Sequence, residues 1–150
     1  MMKRLLVLGL VCGLPFCPAS AQVNPDQLEW GPPPDGLPEG SLFAVLSGDP
    51  TKPGLFTIRL RMPPGYKILP HRHAGEEQIT VMSGEVSLGR GRGYSERKST
   101  KLVRGGYSPE PANTDHYAFS KEGGEIQITG QGPFDLTYVR PRDDPRRKRR

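Results

Sequence analysis

The chain has 150 residues, with 21 Lys and Arg against 16 Asp and Glu, so its formal net charge is +5 at neutral pH. Two of the positive charges, Lys3 and Arg4, lie at the extreme N-terminal end, and the net charge of the rest is +3. Five more lie in the C-terminal run 146–150, and without this run the net charge of the remaining body is −2. The high isoelectric point therefore belongs mainly to the C-terminal end, and no aromatic residues interleave with its charges. Both observations argue against a nucleic-acid-binding role.

Residues 1–21 have the pattern of a secretory signal peptide, because Lys3 and Arg4 precede an apolar stretch and the small residues 19–21 form a cleavage site. The apolar stretch is short and is interrupted by glycine and proline, which weighs against the alternative of a retained membrane anchor. We therefore expect a secreted or periplasmic protein that begins at Gln22. Both cysteines lie in the removed segment, so the mature chain needs no disulfide.

Residues 22–40 form a Pro- and Gly-rich arm that cannot make a long helix or a central strand. Its Trp30 is predicted to pack the arm onto the body or onto a partner subunit; a place in a ligand pocket is the alternative. Residues 41–140 are expected to form one domain. Residues 141–150 form a basic tail, predicted to be a solvated end, with attraction to anionic envelope surfaces as the alternative.

Short apolar segments separated by Pro and Gly turns follow from residue 42 onward. In residues 55–62, Phe56, Ile58 and Leu60 alternate with polar side chains, which is typical of a half-buried strand. Roughly nine or ten such strands without a helical period predict an all-β jelly roll or small barrel. Strands are predicted at 42–46, 55–62, 77–82, 85–88, 101–104, 116–119, 125–130 and 134–139, and the segment that holds His71 and His73 is predicted to be extended.

The segment 89–100 is polar, glycine-rich and basic. Such a composition cannot bury enough apolar surface to form a core, so it predicts a solvated hairpin loop. In an alternative interpretation, Arg90, Arg92 and Tyr94 reach over the barrel mouth and hold an anionic substrate.

His71 and His73 are two residues apart in the segment that precedes the turn Ala74-Gly75. In an extended strand such residues share one face, with Cα atoms roughly 6.6 Å apart, so both imidazoles can reach one metal ion. After the turn, Glu77 opens an apolar run and faces the same side as the apolar residues that follow at period two. Glu76 is one residue out of phase, so Glu77 is the predicted carboxylate beside the imidazoles.

The third and last histidine of the chain, His116, follows a second turn-rich segment at the start of a short apolar strand. Together the two segments resemble the paired motifs of the cupin superfamily. The first motif, G-x5-H-x-H-x3-E-x6-G, is matched at every position by Gly65, His71, His73, Glu77 and Gly84.

The second motif of that superfamily, G-x5-P-x-G-x2-H-x3-N, is matched at Gly105, Pro111 and His116. Asn113 stands where glycine is usual, and Asn tolerates a positive φ better than other residues with a side chain. Ser120 replaces the final Asn. The resemblance covers roughly residues 40 to 140.

The resemblance implies a double-stranded β-helix, a jelly-roll barrel that carries a divalent transition metal held by His71, His73, Glu77 and His116. Fe, Mn, Ni and Zn all suit such ligands, and the sequence does not choose among them. A cupin without a metal is the alternative. The resemblance also implies a homodimer, which would cover sheet edges.

Two functions are compatible with this resemblance. In the first, the protein is an enzyme of dioxygenase-like or Lewis-acid type, an isomerase or lyase, that acts on a small oxygenated compound. Glu77 is then a ligand or the catalytic base, and Gln127 and Thr129 are candidates for inward-facing residues that position the substrate. In the second, the protein is a non-catalytic small-molecule binding or sensor cupin of the cell envelope.

Overall fold

The computed structural model describes residues 22–147. The predicted signal peptide and the last three residues of the basic run lie outside the described residues. No helix in the described part of the chain is both long enough and apolar enough to cross a membrane.

Residues 22–147 form nine β-strands and four single 3-10 turns. The 3-10 turns lie at Pro25–Gln27, Glu96–Lys98, Pro141–Asp143 and Pro145–Arg147. The strands are β1 (Leu42–Ser47), β2 (Gly54–Met62), β3 (Lys67–Arg72), β4 (Glu77–Arg90), β5 (Thr100–Val103), β6 (Tyr107–Glu110), β7 (His116–Phe119), β8 (Gly124–Gly132) and β9 (Thr137–Tyr138). The prediction of an all-β fold is confirmed.

The strands form two antiparallel sheets that share β4. The first sheet has the order β1-β2-β8-β4-β6 and uses the first half of β4. The second has the order β5-β4-β7-β3-β9 and uses the second half of β4. The two sheets face each other as a jelly roll.

Strand β4 passes from one sheet to the other at Gly84. This residue has φ = 66°, and a Cβ atom added there would lie 2.3 Å from the carbonyl oxygen of Gly123. Only glycine fits such a bend without strain. The sequence predicted two separate strands on either side of Gly84; the structure instead shows one bent strand of 14 residues.

The predicted alternation of apolar residues is confirmed in β2, where Phe56, Ile58 and Leu60 are buried while Arg61 is exposed. Apolar side chains of both sheets meet in one core, which includes Ile126 and Ile128 of β8. At about 0.8 kcal/mol for each buried CH2 group, this apolar contact is the main force that holds the sheets together.

The arm lies against the first sheet. Gly31 exchanges both backbone hydrogen bonds with Phe43 of β1, and the Arg61 guanidinium lies 4.1 Å from the centre of the Trp30 ring. Trp30 thus packs on the body, as predicted, and does not line the cavity beside the three histidines.

The prediction of a strand at 134–139 is wrong for its first half. Only Thr137–Tyr138 pairs with β3. Phe134 instead turns inward, with its backbone N–H donating to the carbonyl of Pro50 at 2.7 Å. The apolar side chains at 134 and 136 therefore cover the end of the barrel, and we call residues 133–136 the lid loop.

Candidate metal centre

The three histidines converge between the sheets. His71 of β3 and His116 of β7 are direct cross-strand partners, with ring centroids 4.4 Å apart. His73, just beyond the end of β3, brings its ring to 4.9 Å from that of His71 and 5.3 Å from that of His116. One possible ligand atom from each histidine lies within 4.8 Å of the other two, so all three could hold one metal ion.

Each imidazole is oriented by a backbone carbonyl. His71 Nδ1 lies 2.8 Å from the Leu69 oxygen, His116 Nδ1 lies 3.0 Å from the Thr114 oxygen, and His73 Nδ1 bonds the Asp135 oxygen. A carbonyl oxygen only accepts, so each Nδ1 carries the proton and each Nε2 keeps its lone pair. Such outer partners fix the tautomer and ring orientation that a metal ligand needs.

Burial keeps the imidazoles neutral. Desolvation is the largest cause that lowers the pKa of His71 well below its ordinary value, and the neighbouring His116 and His73 lower it further. Desolvation and His116 lower the pKa of His73 to about 3, and desolvation also lowers the pKa of His116. Neutral imidazole is the form that binds a metal ion.

Glu77, the first residue of β4, brings a buried carboxyl group to the same place. Its Oε2 lies 3.3 Å from Nε2 of His73. Desolvation, followed by the charges of Glu110 and Asp135, raises the pKa of Glu77 to about 8. The two groups are therefore in direct contact, and burial is the main reason that Glu77 keeps its proton to a higher pH than an exposed carboxyl does.

The other oxygen of Glu77 fits a metal ligand. Among residues 22–147, Oε1 of Glu77 is the one buried side-chain polar atom without a hydrogen-bond partner. A buried unpaired oxygen costs roughly 1–3 kcal/mol, which a bound cation would offset. Glu76 is exposed, as the prediction of Glu77 over Glu76 requires.

The cavity beside these groups is small and mostly apolar. Its volume is about 20 Å³, and its walls include Leu60, Ile79, Ile128 and Leu136 besides the four polar residues. That space accommodates about one water molecule. The donor atoms and the space together therefore fit one transition-metal ion, and they leave little room for a bound small molecule beside it.

Gln127 and Thr129 do not reach the site, so their prediction as inward-facing residues is wrong. The period-two alternation of β8 directs Ile126 and Ile128 into the cavity. Gln127 therefore accepts from Arg59 Nε at 3.2 Å, and the Thr129 hydroxyl lies 3.1 Å from that of Thr57. These hydrogen bonds join β2 to β8 on the outer face.

The basic groups predicted as alternative anion ligands are engaged by carboxylates of the chain. Arg90 Nε lies 3.2 Å from Glu110, and Arg92 Nη1 lies 3.5 Å from Asp115. Tyr94 bonds Glu96 and packs on Tyr117. The segment 89–100 thus packs along β7, and its arginines lie outside the metal cavity.

Several contributors to the site were not predicted from the sequence. Glu110 is buried directly across from Glu77 and is held by Ser108 and Arg90. The lid loop contributes the Asp135 carbonyl and the Phe134 ring, which stacks on His73 at 5.3 Å. No sequence pattern could have indicated the Asp135 carbonyl, because every residue has a backbone carbonyl. Phe134 could have been noticed, because it is an apolar residue directly after the Gly132-Pro133 turn.

Both residues that depart from the second cupin motif make hydrogen bonds to other segments of the chain. Asn113 has φ = 59°, the one positive φ at a residue other than glycine within 22–147, and its N–H donates to the His73 carbonyl at 2.8 Å. Ser120 is buried and donates to the Glu85 carbonyl at 2.7 Å. Asn113 thus holds the turn before His116 against the backbone of His73, and Ser120 links the end of β7 to β4.

Sequence comparison agrees with this architecture, because the family profile of the ChrR cupin-like domain matches residues 18–135. The chain belongs to this cupin family. A search of curated proteins finds no match to the cupin.

Solved structures share the fold. The polyketide cyclase RemF from Streptomyces resistomycificus aligns with a TM-score of 0.68 at 15% identity, over 84% of this chain and 89% of its own. A protein provisionally assigned as an acetylacetone dioxygenase from Methylibium petroleiphilum gives 0.63 at 25% identity, over 85% of both chains. The DMSP lyase DddQ from Ruegeria pomeroyi gives 0.58 at 17% identity, over 74% and 60%.

Proposed function

We propose that this cupin is a metal-dependent enzyme that acts on a small oxygenated compound by a dioxygenase-like or a Lewis-acid, isomerase or lyase, reaction. One observation carries the proposal: three oriented neutral imidazoles and a carboxyl oxygen without a partner border a single apolar cavity. Proteins that share the fold are named for a cyclase, a dioxygenase and a lyase, so the fold is compatible with several reaction classes.

His71, His73 and His116 would hold the metal through their Nε2 atoms. A divalent transition metal in such a site supplies Lewis acidity or redox chemistry to an oxygen-bearing ligand. Glu77 is the one carboxyl group among the described residues that line the cavity. It either completes the ligand set or takes a proton from the bound compound.

The apolar walls complement these polar groups. Leu60, Ile79 and Ile128 surround the carboxyl and imidazole groups with aliphatic side chains. A low local dielectric strengthens each electrostatic interaction with the reacting atoms. The walls also restrict water, which protects a reactive compound from hydrolysis.

The test begins with elemental analysis of mature protein purified without chelators, beside the His71→Ala/His116→Ala double variant. Oxygen uptake and loss of substrate absorbance are then followed with a panel of enediols, phenols and β-diketones. Stoichiometric metal that is absent from the variant, with turnover of any compound, supports the proposal. Metal-free wild-type protein that is folded would contradict it.

A binding or sensor function is the second candidate, and the cavity volume of about 20 Å³ favours it. A substrate with several carbon atoms needs more space than this cavity has, whereas a metal ion with one small ligand does not. Bound metal and tight ligand binding without turnover across the panel would decide for this function.

The location of the protein remains a proposal too. A cleaved signal peptide would place the mature chain in the periplasm or outside the cell, where the proposed homodimer would form. N-terminal sequencing of the exported protein should give Gln22 as the first residue, and light scattering should give twice the mass of one mature chain. Retention of residues 1–21 would contradict the proposed export.

A further inference from the structure

A second cavity lies on the other side of the lid loop. This outer groove has a volume of about 350 Å³, against about 20 Å³ for the metal cavity. Phe134 lines both. The remaining walls of the outer groove are Pro32, Pro34, Phe43, Val45, Asp49, Pro50 and Thr51.

The outer groove is an uncovered part of the barrel interior. Phe43 and Val45 of β1 pair with Leu60 and Ile58 of β2, and cross-strand partners point to the same face. Ile58 and Leu60 are fully buried, yet Val45 is 48% exposed. An apolar side chain on the core face that is half exposed indicates space for an apolar group.

Phe134 is the partition between the two cavities. Its ring stacks on His73 at 5.3 Å, meets Phe56 edge-on at 5.7 Å and is tilted against Phe43 at 6.1 Å. The ring has no polar atom, so its displacement breaks no hydrogen bond, and the backbone bond to Pro50 can persist. Because Phe134 lines both cavities, a rotation of this one side chain is what joining the groove to the metal cavity requires.

The charge at the groove is neutralised locally. Asp49, the one charged residue in its walls, pairs with Lys52 at 2.7 Å and accepts from the Thr51 hydroxyl. The other walls are mainly proline, valine and phenylalanine side chains. An apolar ligand therefore suits the groove better than an anion does.

We propose that the outer groove binds the alkyl or aryl part of the compound whose oxygen atoms reach the metal cavity, and that Phe134 is the specificity-determining residue between the two. This inference rests on the proposed function. It names the substrate class: a molecule with an oxygen-bearing head and an apolar tail.

The test uses alkyl hydroxamates, whose two oxygen atoms bind a metal ion, in a series from acetohydroxamate to octanohydroxamate. Each is titrated calorimetrically into the metal-loaded mature protein. Each methylene buried in the groove should tighten binding by about two- to fourfold until the tail fills it. A series without dependence on chain length overturns the inference and leaves the proposed function intact.

Two matched variants locate the effect. Val45→Gln places a polar group in the groove, whereas Leu55→Gln changes a 65% exposed residue of β2 outside it. Val45→Gln should weaken binding of the longest hydroxamate at least threefold and leave acetohydroxamate binding and metal content unchanged. Leu55→Gln should leave the binding of both hydroxamates and the metal content unchanged. Equal effects of the two variants on the longest hydroxamate would overturn the inference.

Phe134→Ala tests the partition. Relative to acetohydroxamate, binding of the bulkier benzohydroxamate should tighten at least fivefold, because the smaller side chain joins the cavities. An unchanged ratio of the two affinities would overturn the role of Phe134.

Two further outcomes are distinct. Absence of acetohydroxamate binding to the metal-loaded wild type removes the proposed function and this inference together. A change from dimer to monomer in Val45→Gln, with the hydroxamate series unchanged, would identify the groove as a subunit contact and overturn the inference alone.

Discussion

The two walls of the metal site are built differently. On one side, His71, His116 and Glu77 belong to strands, and the ladders of both sheets fix them. On the other side, the lid loop reaches His73 through a stacked ring and one carbonyl oxygen. We therefore expect the strand wall to determine how tightly a metal is held and the loop wall to determine what reaches it.

The loop wall depends in turn on both ends of the described chain. Tyr138 donates its hydroxyl to the Gly36 carbonyl of the arm at 2.8 Å. Arg146 donates to the Leu136 carbonyl at 2.8 Å while it pairs with Asp144. Arg146 of the basic tail thus contacts the lid loop, although the tail was predicted to be a solvated end.

The largest effect is expected at the strand wall. His116→Ala should weaken metal binding at least a hundredfold, since it removes one of three imidazoles whose outer partners are already in place. Competition with a chromogenic chelator measures the loss. His71→Ala and His73→Ala should behave alike, and metal content equal to wild type in any of them would contradict the ligand assignment.

Glu77→Gln should have the next largest effect, at least a tenfold loss of metal affinity. The amide keeps the shape and can donate to Nε2 of His73, but it lacks the negative charge that an ionised Glu77 would offer to a cation. The unfolding free energy of the metal-free protein should stay within about 1 kcal/mol of wild type. Glu76→Gln, at an exposed neighbour, is the matched control, and equal metal affinities of the two variants would contradict the role of Glu77.

Arg146→Ala sharpens the comparison from the loop side. The substitution removes the hydrogen bond to the Leu136 carbonyl, which is next to the Asp135 carbonyl that orients His73. Metal release into excess chelator should therefore accelerate about two- to tenfold. This effect is smaller than the one expected when a residue that bonds a metal ligand directly is removed. Stopped-flow absorbance measures this rate. Arg147→Ala is the control, and a release rate at the wild-type value in Arg146→Ala would show that the tail does not support the loop.

The smallest effect is expected outside both walls. Trp30→Ala removes the stacking of Arg61 on the indole, a contact worth about 0.5–1 kcal/mol at a partly exposed site. Chemical denaturation should show a loss of about that size. Metal affinity should not change, and a several-fold decrease would mean that the arm acts on the site.

The strand wall could be predicted from the sequence because each of its signals is local. The H-x-H spacing and the phase of Glu77 follow from period two, and a turn that tolerates Asn113 precedes His116. The polar side chains Gln127 and Thr129 of the neighbouring strand β8 were misplaced, since their isoleucine neighbours take the inner face.

The loop wall could not be predicted, because long-range contacts determine it. The apolar run from Phe134 has the appearance of a strand, yet its backbone bonds Pro50, more than 80 residues earlier in the chain. The Asp135 carbonyl that orients His73 has no sequence signature at all. Contacts of this kind override local propensity.

The bend of β4 at Gly84 has a consequence for dynamics. Glu77 lies in the half of β4 that belongs to the first sheet, while His71 and His116 belong to the second. A metal ion bound by all of them would link the sheets, and neither sheet could open alone without losing it. Metal loading should therefore slow amide hydrogen exchange in β2 and β8 by the same factor as in β3 and β7.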